Sequence, residues 1–410
     1  MATFDMFGDA RSREPRGALS DLKVLELGSM LAGPFVGTML ADFGARVIKV
    51  EKPGKPDPLR EWPPHKGDQP LWWKSMARNK RLVTLDISRA EGREVLLEML
   101  QDTDIVIENF KPGTLERWGL GPDVLAQQFP EIVWVRVSGY GQSGPMSQRG
   151  GYATIAEGFS GLASFTGFPQ NGPSVSAFPM GDYLAGIFGA FGALAAIHNR
   201  LTSKRGQVVD VSLFEPLFRI TESVVLRYDQ TGEKKPRLGN QMEEDVPRNV
   251  YATSDGKAIA ISCGSQRIYE NLTRAMDRPD LLTDARFVTM SLRVQHREAI
   301  DAEVAQWIAG QSVDEAMRVL DHHGVVAGPI LDIEDIFSNT HYAARGAIAT
   351  VQDHDAGPLR MPSPVPKLSD TPGEIKWAGG CPGTDNDEVF GTVFPLGAQR
   401  LAALRTAGVI

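Results

Sequence analysis

Asp182 is the residue whose type and setting most suggest chemistry. It follows Gly181 in the run FPMGDYLAG and precedes a long stretch of small residues. A free aspartate, with a pKa of about 3.9, is ionised at neutral pH. Such a carboxylate needs no partner base to attack a thioester carbonyl, and Gly181 would leave room beside it for a bulky acyl group. The plain alternative is a helix N-cap, a position aspartate favours. The seven histidines are His65, His198, His296, His322, His323, His341 and His354, and none lies between residues 110 and 197. A local His–Asp proton-transfer pair is therefore not expected. Cys263 and Cys381 form no CxxC pair, and the sequence has neither HExxH nor a paired-carboxylate motif, so no metal site is expected.

Two further segments could hold an anion. Gly28, Gly33 and Gly37 fall where a first strand turns into a helix, and free N–H groups at such a turn attract phosphate. The spacing is not G-x-G-x-x-G, although Glu51 ends the second strand as a ribose-binding acid would. A nicotinamide dehydrogenase rests on that turn alone, and simple packing of helix on sheet explains the glycines as well. Arg78, Lys80 and Arg81, and the turn ENFKPG with Arg117 behind it, could face phosphates at strand C-termini, or be solvated surface charge. No Walker-type G-x-x-x-x-G-K-[ST] occurs.

These residues need elements to place them. Residues 22–27 (LKVLEL) read as a strand, about 33–43 as a helix and 46–51 (RVIKVE) as the next strand, a βαβ unit that implies parallel sheet. The pattern repeats. Residues 81–87 are strand-like, and Ser88 with Glu91 form a capping box before the helix REVLLEML. Strand 104–108, a helical region over 114–129 and strand 132–137 follow. Residues 20–140 are thus expected to be a doubly wound α/β domain. Residues 141–181 read as a long irregular segment, the kind that is usually functional. A helix is expected from Asp182 to about residue 200, then strand 207–211 and a helix over 214–229. A charged linker leads into a second domain, with a hairpin turning at Asp255–Gly256 and helices near 265–276, 293–309 and 312–322. A later hairpin is expected near residues 355–357. The Pro-rich segment after it would have to wrap over other elements or a partner subunit.

A length of 410 residues suggests two domains. A net charge of −8 argues against a nucleic-acid binder, while a local basic pocket can still serve an anionic substrate. Residues 1–18 have no apolar h-region and read as a loosely held tail, neither signal nor anchor. The longest apolar stretch, 183–197, is mostly Gly and Ala and shorter than the roughly 18 residues of a membrane span. It reads as a closely packed core helix. With two reduced thiols, a cytoplasmic protein without membrane association is expected.

Several ordered motifs add up to a pattern: LKVLELGSMLAGPFVGTMLADFGARVIKVEKPG, RNKRLVTLDISRAEG, ENFKPGTLERWGL, VRVSGYGQSGP, MGDYLAGIFGAFGALAAI, RGQVVDVSLFE, VVAGPILDIEDIF and PGTDNDEVF. Across residues 20–395 the chain resembles the family III CoA-transferases, which include formyl-CoA transferase, carnitine CoA-transferase and related acyl-CoA racemases. The resemblance implies a Rossmann-like, doubly wound large CoA-binding domain over 19–224, a smaller α+β domain over 225–325, and a return with a C-terminal wrap over 326–410. It implies an interlocked, obligate homodimer, or a heteromer with a paralogous subunit. Acyl-CoA and a carboxylic acid would be the substrates, with no tightly bound cofactor. Asp182 matches the catalytic aspartate, with Gly181, Tyr152 and Leu31 in support. Leu31, Ala32, Lys52, Leu85, Ser88, Asn109, Phe110, Lys111, Arg117, Arg149, Gly150 and Tyr152 match CoA contacts. Tyr152 stands where the racemases carry a catalytic histidine, which favours transfer over the alternative of racemisation. Leu31 stands where formyl-CoA transferase has a glutamine, and that enzyme's glycine-rich loop is not found near 245–265. The acid implied is larger or less polar than oxalate. The mechanism implied passes through an aspartyl anhydride and an aspartyl-CoA thioester, and Asp182 argues against a non-catalytic subunit.

Overall fold

A computed structural model describes residues 17–410. Of the tail expected over 1–18, all but Gly17 and Ala18 lie outside the described residues. The chain divides into two compact units.

The larger comprises 17–162, Ser176–Ser223 and Arg345–Ile410. It contains strands β1 (Lys23–Glu26), β2 (Arg46–Glu51), β3 (Lys80–Thr84), β4 (Ile105–Glu108), β5 (Val133–Ser138) and β6 (Val208–Ser212). They form one six-stranded sheet in the order β3-β2-β1-β4-β5-β6, parallel throughout. Its helices include α1 (Ala32–Asp42), α2 (Ala90–Leu100), α3 (Ala153–Phe159) and α4 (Met180–Ser203). Both faces of the central strands are buried, as covered parallel sheet requires. On one face Leu25, Ile48, Val83 and Val106 pack with Val95, Leu96 and Met99 of α2. On the other, Val24, Val47, Ile107 and Val135 pack with Val36 and Leu40 of α1 and Ala185, Ala190 and Ala193 of α4.

The small residues of α4 allow that second layer. A Cβ on Gly186 would lie 2.8 Å from Phe35 Cδ1 and 3.2 Å from the Ala32 carbonyl oxygen, and one on Gly189 would lie 2.8 Å from Val36 Cγ2. The helix is long and apolar enough, by length and composition, to cross a membrane. Its glycine and alanine face is instead buried against α1 and the sheet.

Local readings shift in several places. No capping box forms at α2: Arg89 is the N-cap and makes no side-chain cap bond, because Ser88 turns its hydroxyl to Asp86. The helix expected over 114–129 is two short turns, Thr114–Arg117 and Pro122–Leu125, interrupted where Gly119 takes φ 73°. The helix expected over 214–229 breaks after Arg219. The segment over 141–181 is not wholly irregular, since it contains α3.

The C-terminal segment covers the edge strand β3. The Leu82 N–H donates to Asp385 Oδ2 (2.7 Å) and the Thr84 N–H to Asn386 Oδ1 (2.9 Å). Such cover satisfies backbone groups that would otherwise template further strands. Before it, Ile348–Asp353 and Gly357–Pro362 form the expected hairpin.

The smaller unit comprises Ala163–Val175 and Val224–Ala344. Strands β7 (Arg248–Ala252), β8 (Ala258–Ser262) and β9 (Ala327–Pro329) make an antiparallel sheet in the order β9-β8-β7. Gly256 turns the β7–β8 hairpin at φ 78°. Tyr251, Ile259 and Ile261 pack against helices Gln266–Ala275, Arg297–Ala309 and Val313–His322 through Leu272, Ile300, Val304 and Leu320. This unit runs past 325 because β9 pairs with β8. It takes in 163–175 because the Gly239 N–H donates to the Gly167 carbonyl (2.9 Å) and Arg237 to that of Ser164 (2.9 Å).

Candidate active site

In a sheet ordered β3-β2-β1-β4-β5-β6, successive connections leave in opposite directions from β1, which opens a crevice between β1 and β4 at the strands' C-terminal ends. A cleft of about 740 Å³ occupies that place within the larger unit. Ser29, Met30, Leu31 and Ala32 line it from the β1–α1 turn, Asn109 from the end of β4, and Val137, Ser138 and Gly139 from the end of β5. Tyr152 at the start of α3, Phe178, and Asp182 in the first turn of α4 complete it, with Trp62 and Trp72.

Asp182 is not a helix cap. The helix begins at Met180, Pro179 is its N-cap, and no side chain caps it. The Asp182 side chain has no hydrogen bond or ion pair among the described residues, and burial alone raises its carboxyl to about 6. Among the described residues, the cleft lining contains no lysine, arginine or histidine. An uncompensated carboxylate facing a cavity is costly for the fold and is the kind of perturbed group that marks functional sites. Gly181 does not leave open space. A Cβ there would lie 3.2 Å from Ala153 Cα and 3.4 Å from Leu217 Cδ1, so the glycine seats the start of α4 against that of α3.

The wall near Asp182 is aromatic. Trp72 Nε1–H donates to the Tyr183 hydroxyl (3.1 Å), Tyr183 meets Phe35 edge-on with centroids 4.7 Å apart, and Trp62 lies 5.6 Å from Trp72. Tyr152 is 76% exposed and lines the cleft.

The residues expected to contact CoA fall into three groups. Leu31, Ala32, Tyr152 and Asn109 line the cleft. Asn109 has both ends of its amide engaged, accepting from the Ser29 N–H (2.8 Å) and donating to the Ser29 carbonyl (2.8 Å). Its amide thereby ties the turn to the end of β4. Lys52, Ser88, Phe110, Lys111, Arg117, Arg149 and Gly150 follow the C-terminal ends of β2, β3, β4 and β5 but lie outside the lining. Lys52 pairs with Asp86 (3.2 Å), Arg117 bonds the Thr114 hydroxyl (2.9 Å), and Phe110 packs on Trp118. Leu85 is buried, and its N–H and carbonyl are both bonded within the chain.

Other candidates are excluded by where the fold puts them. Arg78 pairs with Asp42 (2.6 Å), Lys80 with Glu26 (2.7 Å) and Arg81 with Glu388 (2.9 Å). None of the three is a lining residue of the cleft. Glu51 accepts two bonds from Arg60 and one from the Asp57 N–H, so it is not free for a ribose. The sequence reading missed Trp62, Trp72, Phe178 and Ser138, whose hydroxyl is buried without a partner. It also missed the buried pair Lys49–Asp57. A signal for that pair was present: RVIKVE sets a lysine inside a strand with no polar face. Among the described residues no cluster of metal-ligating side chains occurs.

A parallel α/β sheet with a carboxylate in its switch-point cleft is the frame of an α/β enzyme whose ligand binds at the strands' C-terminal ends. The chain belongs to CoA-transferase family III, whose model matches residues 19–388, and it is an enzyme of the CoA-transferase class. It is 41% identical over 97% of its length to all of succinyl-CoA–D-citramalate CoA-transferase from Chloroflexus aurantiacus. It is 36% identical over 96% of its length to 92% of the succinyl-CoA–L-malate CoA-transferase alpha subunit of Chloroflexus aurantiacus. A crystal structure of a CAIB/BAIF family protein from Brucella suis superposes with a TM-score of 0.83 at 29% identity, over 92% of this chain and 100% of that one. These relatives do not favour the racemase alternative.

Proposed function

We propose that the protein moves CoA from an acyl-CoA thioester to a carboxylic acid through covalent intermediates on Asp182. The observation that carries this is the Asp182 carboxylate, facing the cleft without cation or hydrogen-bond partner among the described residues. Each step is an acyl substitution that neither takes up nor releases a proton. A carboxylate oxygen of Asp182 attacks the donor carbonyl, the C–S bond breaks, and CoA leaves as thiolate with a mixed anhydride formed. The thiolate attacks the Asp182 acyl carbon and expels the donor acid as carboxylate, leaving an aspartyl-CoA thioester. The acceptor carboxylate attacks that thioester and releases the thiolate. The thiolate then attacks the acceptor's acyl carbon and restores Asp182. A chain of this kind needs no base, which fits the absence of histidine from the cleft. Backbone N–H groups of the first turn of α4 are suited to stabilise the oxyanion, with Tyr152 and Leu31 as cleft support.

The larger unit is read as Rossmann-like, because its strand order is that of dinucleotide folds. Lys52, Lys111, Arg117 and Arg149 are assigned to the CoA phosphates, since basic side chains suit such groups. No tightly bound cofactor is required. Trp62, Trp72, Phe178 and Tyr152 suit an acid with more apolar body than oxalate. The names of the relatives make succinyl-CoA the first donor to test. An obligate homodimer is proposed, and one relative's name as an alpha subunit keeps a heteromer with a paralogue in play. On α4 the side chains of Ile187, Phe191, Leu194 and Leu201 form an exposed apolar stripe that a second copy would cover. We place the enzyme in the cytoplasm.

The test is a matrix of acyl-CoA donors against carboxylic acids, read by mass. Hydroxylamine added during turnover should modify the peptide containing Asp182. Label on another residue, or transfer by Asp182→Ala, would reject the mechanism.

A further inference from the structure

We propose that the buried Lys49–Asp57 pair is the positioning element of the reaction site. It holds the β1–α1 turn in the conformation that presents Leu31 and Ala32 to the cleft beside Asp182. The proposal rests on the transferase reading above and concerns residues that do not line the cleft.

Three consecutive residues of that turn have backbone groups tied by side chains from elsewhere in the larger unit. The Gly28 carbonyl accepts from Lys49 Nζ (2.6 Å). Ser29 exchanges two bonds with Asn109. The Met30 N–H donates to both carboxylate oxygens of Asp57 (3.0 and 3.2 Å). Lys49 Nζ and Asp57 Oδ2 lie 3.0 Å apart, both side chains 1% exposed. Asp57 is itself fixed: it accepts from the Leu59 N–H (3.0 Å), and its own N–H donates to Glu51 (2.9 Å), which Arg60 grips with two bonds. Glu26 adds a second carboxylate 3.2 Å from Lys49.

Met30 explains why a clamp is needed. Its φ of 66° lies in the left-handed region, which a side chain other than glycine rarely adopts. The left-handed residue swings the chain from the end of β1 into α1, so the next two residues face the cleft. Without the Asp57 acceptor, Met30 would relax toward negative φ and carry Leu31 and Ala32 with it. Displacements of that size at a reacting centre cost rate rather than fold.

A residue that only stabilised the fold would not care what sits at position 30. A residue that holds position 30 left-handed should become dispensable when glycine, which adopts that conformation freely, replaces Met30. The experiment compares Asp57→Ala in the parent enzyme with the same change in a Met30→Gly background, using succinyl-CoA and its best acceptor from the screen. We expect a loss of about 10- to 100-fold in kcat in the parent, with a smaller change in KM, and a loss below about 3-fold in the Met30→Gly background. Equal losses in the two backgrounds would overturn the proposal. If Asp57→Ala does not fold, Asp57→Leu, which keeps the bulk and removes both acceptor oxygens, carries the same comparison. Hydrogen exchange at residues 30–33 gives a readout free of activity. Unchanged protection in Asp57→Leu would overturn the clamp. Faster exchange in a protein whose parent transfers no CoA would overturn the transferase reading and leave the clamp standing.

Discussion

The Asp182 carboxyl sets two opposing demands on one residue. Burial raises it from 3.8 to about 6, and the attacking species is the carboxylate. Transfer should therefore fall as pH drops through about 6, approaching tenfold per unit in kcat/KM, which a pH–rate profile would show. The stability effect has the opposite sign. The folded protein binds this proton more tightly than the unfolded chain, so the group's contribution to stability improves as pH falls from about 6 toward 3.8, and the charged form is a liability at neutral pH. Asp182→Asn should abolish transfer yet melt higher than the parent at pH 7.5, by the equivalent of about 1–2 kcal/mol. That gap should narrow as pH falls below about 6 and close near 3.8. Asp182→Glu keeps the charge one methylene out of place and should lose about 100-fold in rate. Arg117→Ala should raise KM for the acyl-CoA with less effect on kcat, as steady-state kinetics would report.

At the scale of elements, the nucleophile depends on how closely α1 and α4 approach. Gly186 faces Phe35 and the Ala32 carbonyl with no room for a side chain. Gly186→Leu should destabilise the fold by about 1–3 kcal/mol through overpacking, measured by urea unfolding. It should also lower transfer, because the two turns that it pushes apart carry Ala32 and Asp182. The spacing of small residues in MGDYLAGIFGAFGALAAI made a tightly packed helix legible. It did not say which helix packs there, since α1 lies some 150 residues earlier and only the strand order brings the two together. Likewise the βαβ pattern gave the strands, while the failure of the Ser88–Glu91 capping box followed from Asp86 competing for the serine hydroxyl, a contact that cannot be read from spacing.

For the whole molecule, the apolar stripe on α4 is the surface that the proposed second copy would cover. Phe191 is 71% exposed and Leu201 62%, in line along the helix, while the opposite face of the same helix is buried. Large exposed apolar side chains in a row mark interaction surfaces more often than chance. Sedimentation should find the parent as a dimer that does not dissociate on dilution. Phe191→Asp should give smaller species or aggregate, and an active parent monomer would remove the homodimer from the reading.

What the sequence by itself determined is local or carried by motif: alternating strand and helix patterns, a glycine-aspartate step before a small-residue helix, the want of a nearby histidine, and the family resemblance that the match over residues 19–388 bears out. What only the tertiary structure decided is which charges are free. Glu51, Arg78, Lys80 and Arg81 read as plausible ligand contacts in the chain, and each is held by an ion-pair partner, Arg60 for Glu51 and acids far along the chain for the other three. Asp182 could be read as a nucleophile or as a helix cap, and the fold leaves its side chain uncapped and without a partner among the described residues. Ion pairing depends on distances of a few ångströms between segments far apart in the chain, and the cost of burying a charge depends on everything around it. Neither quantity exists until the sheet has set the order of its strands.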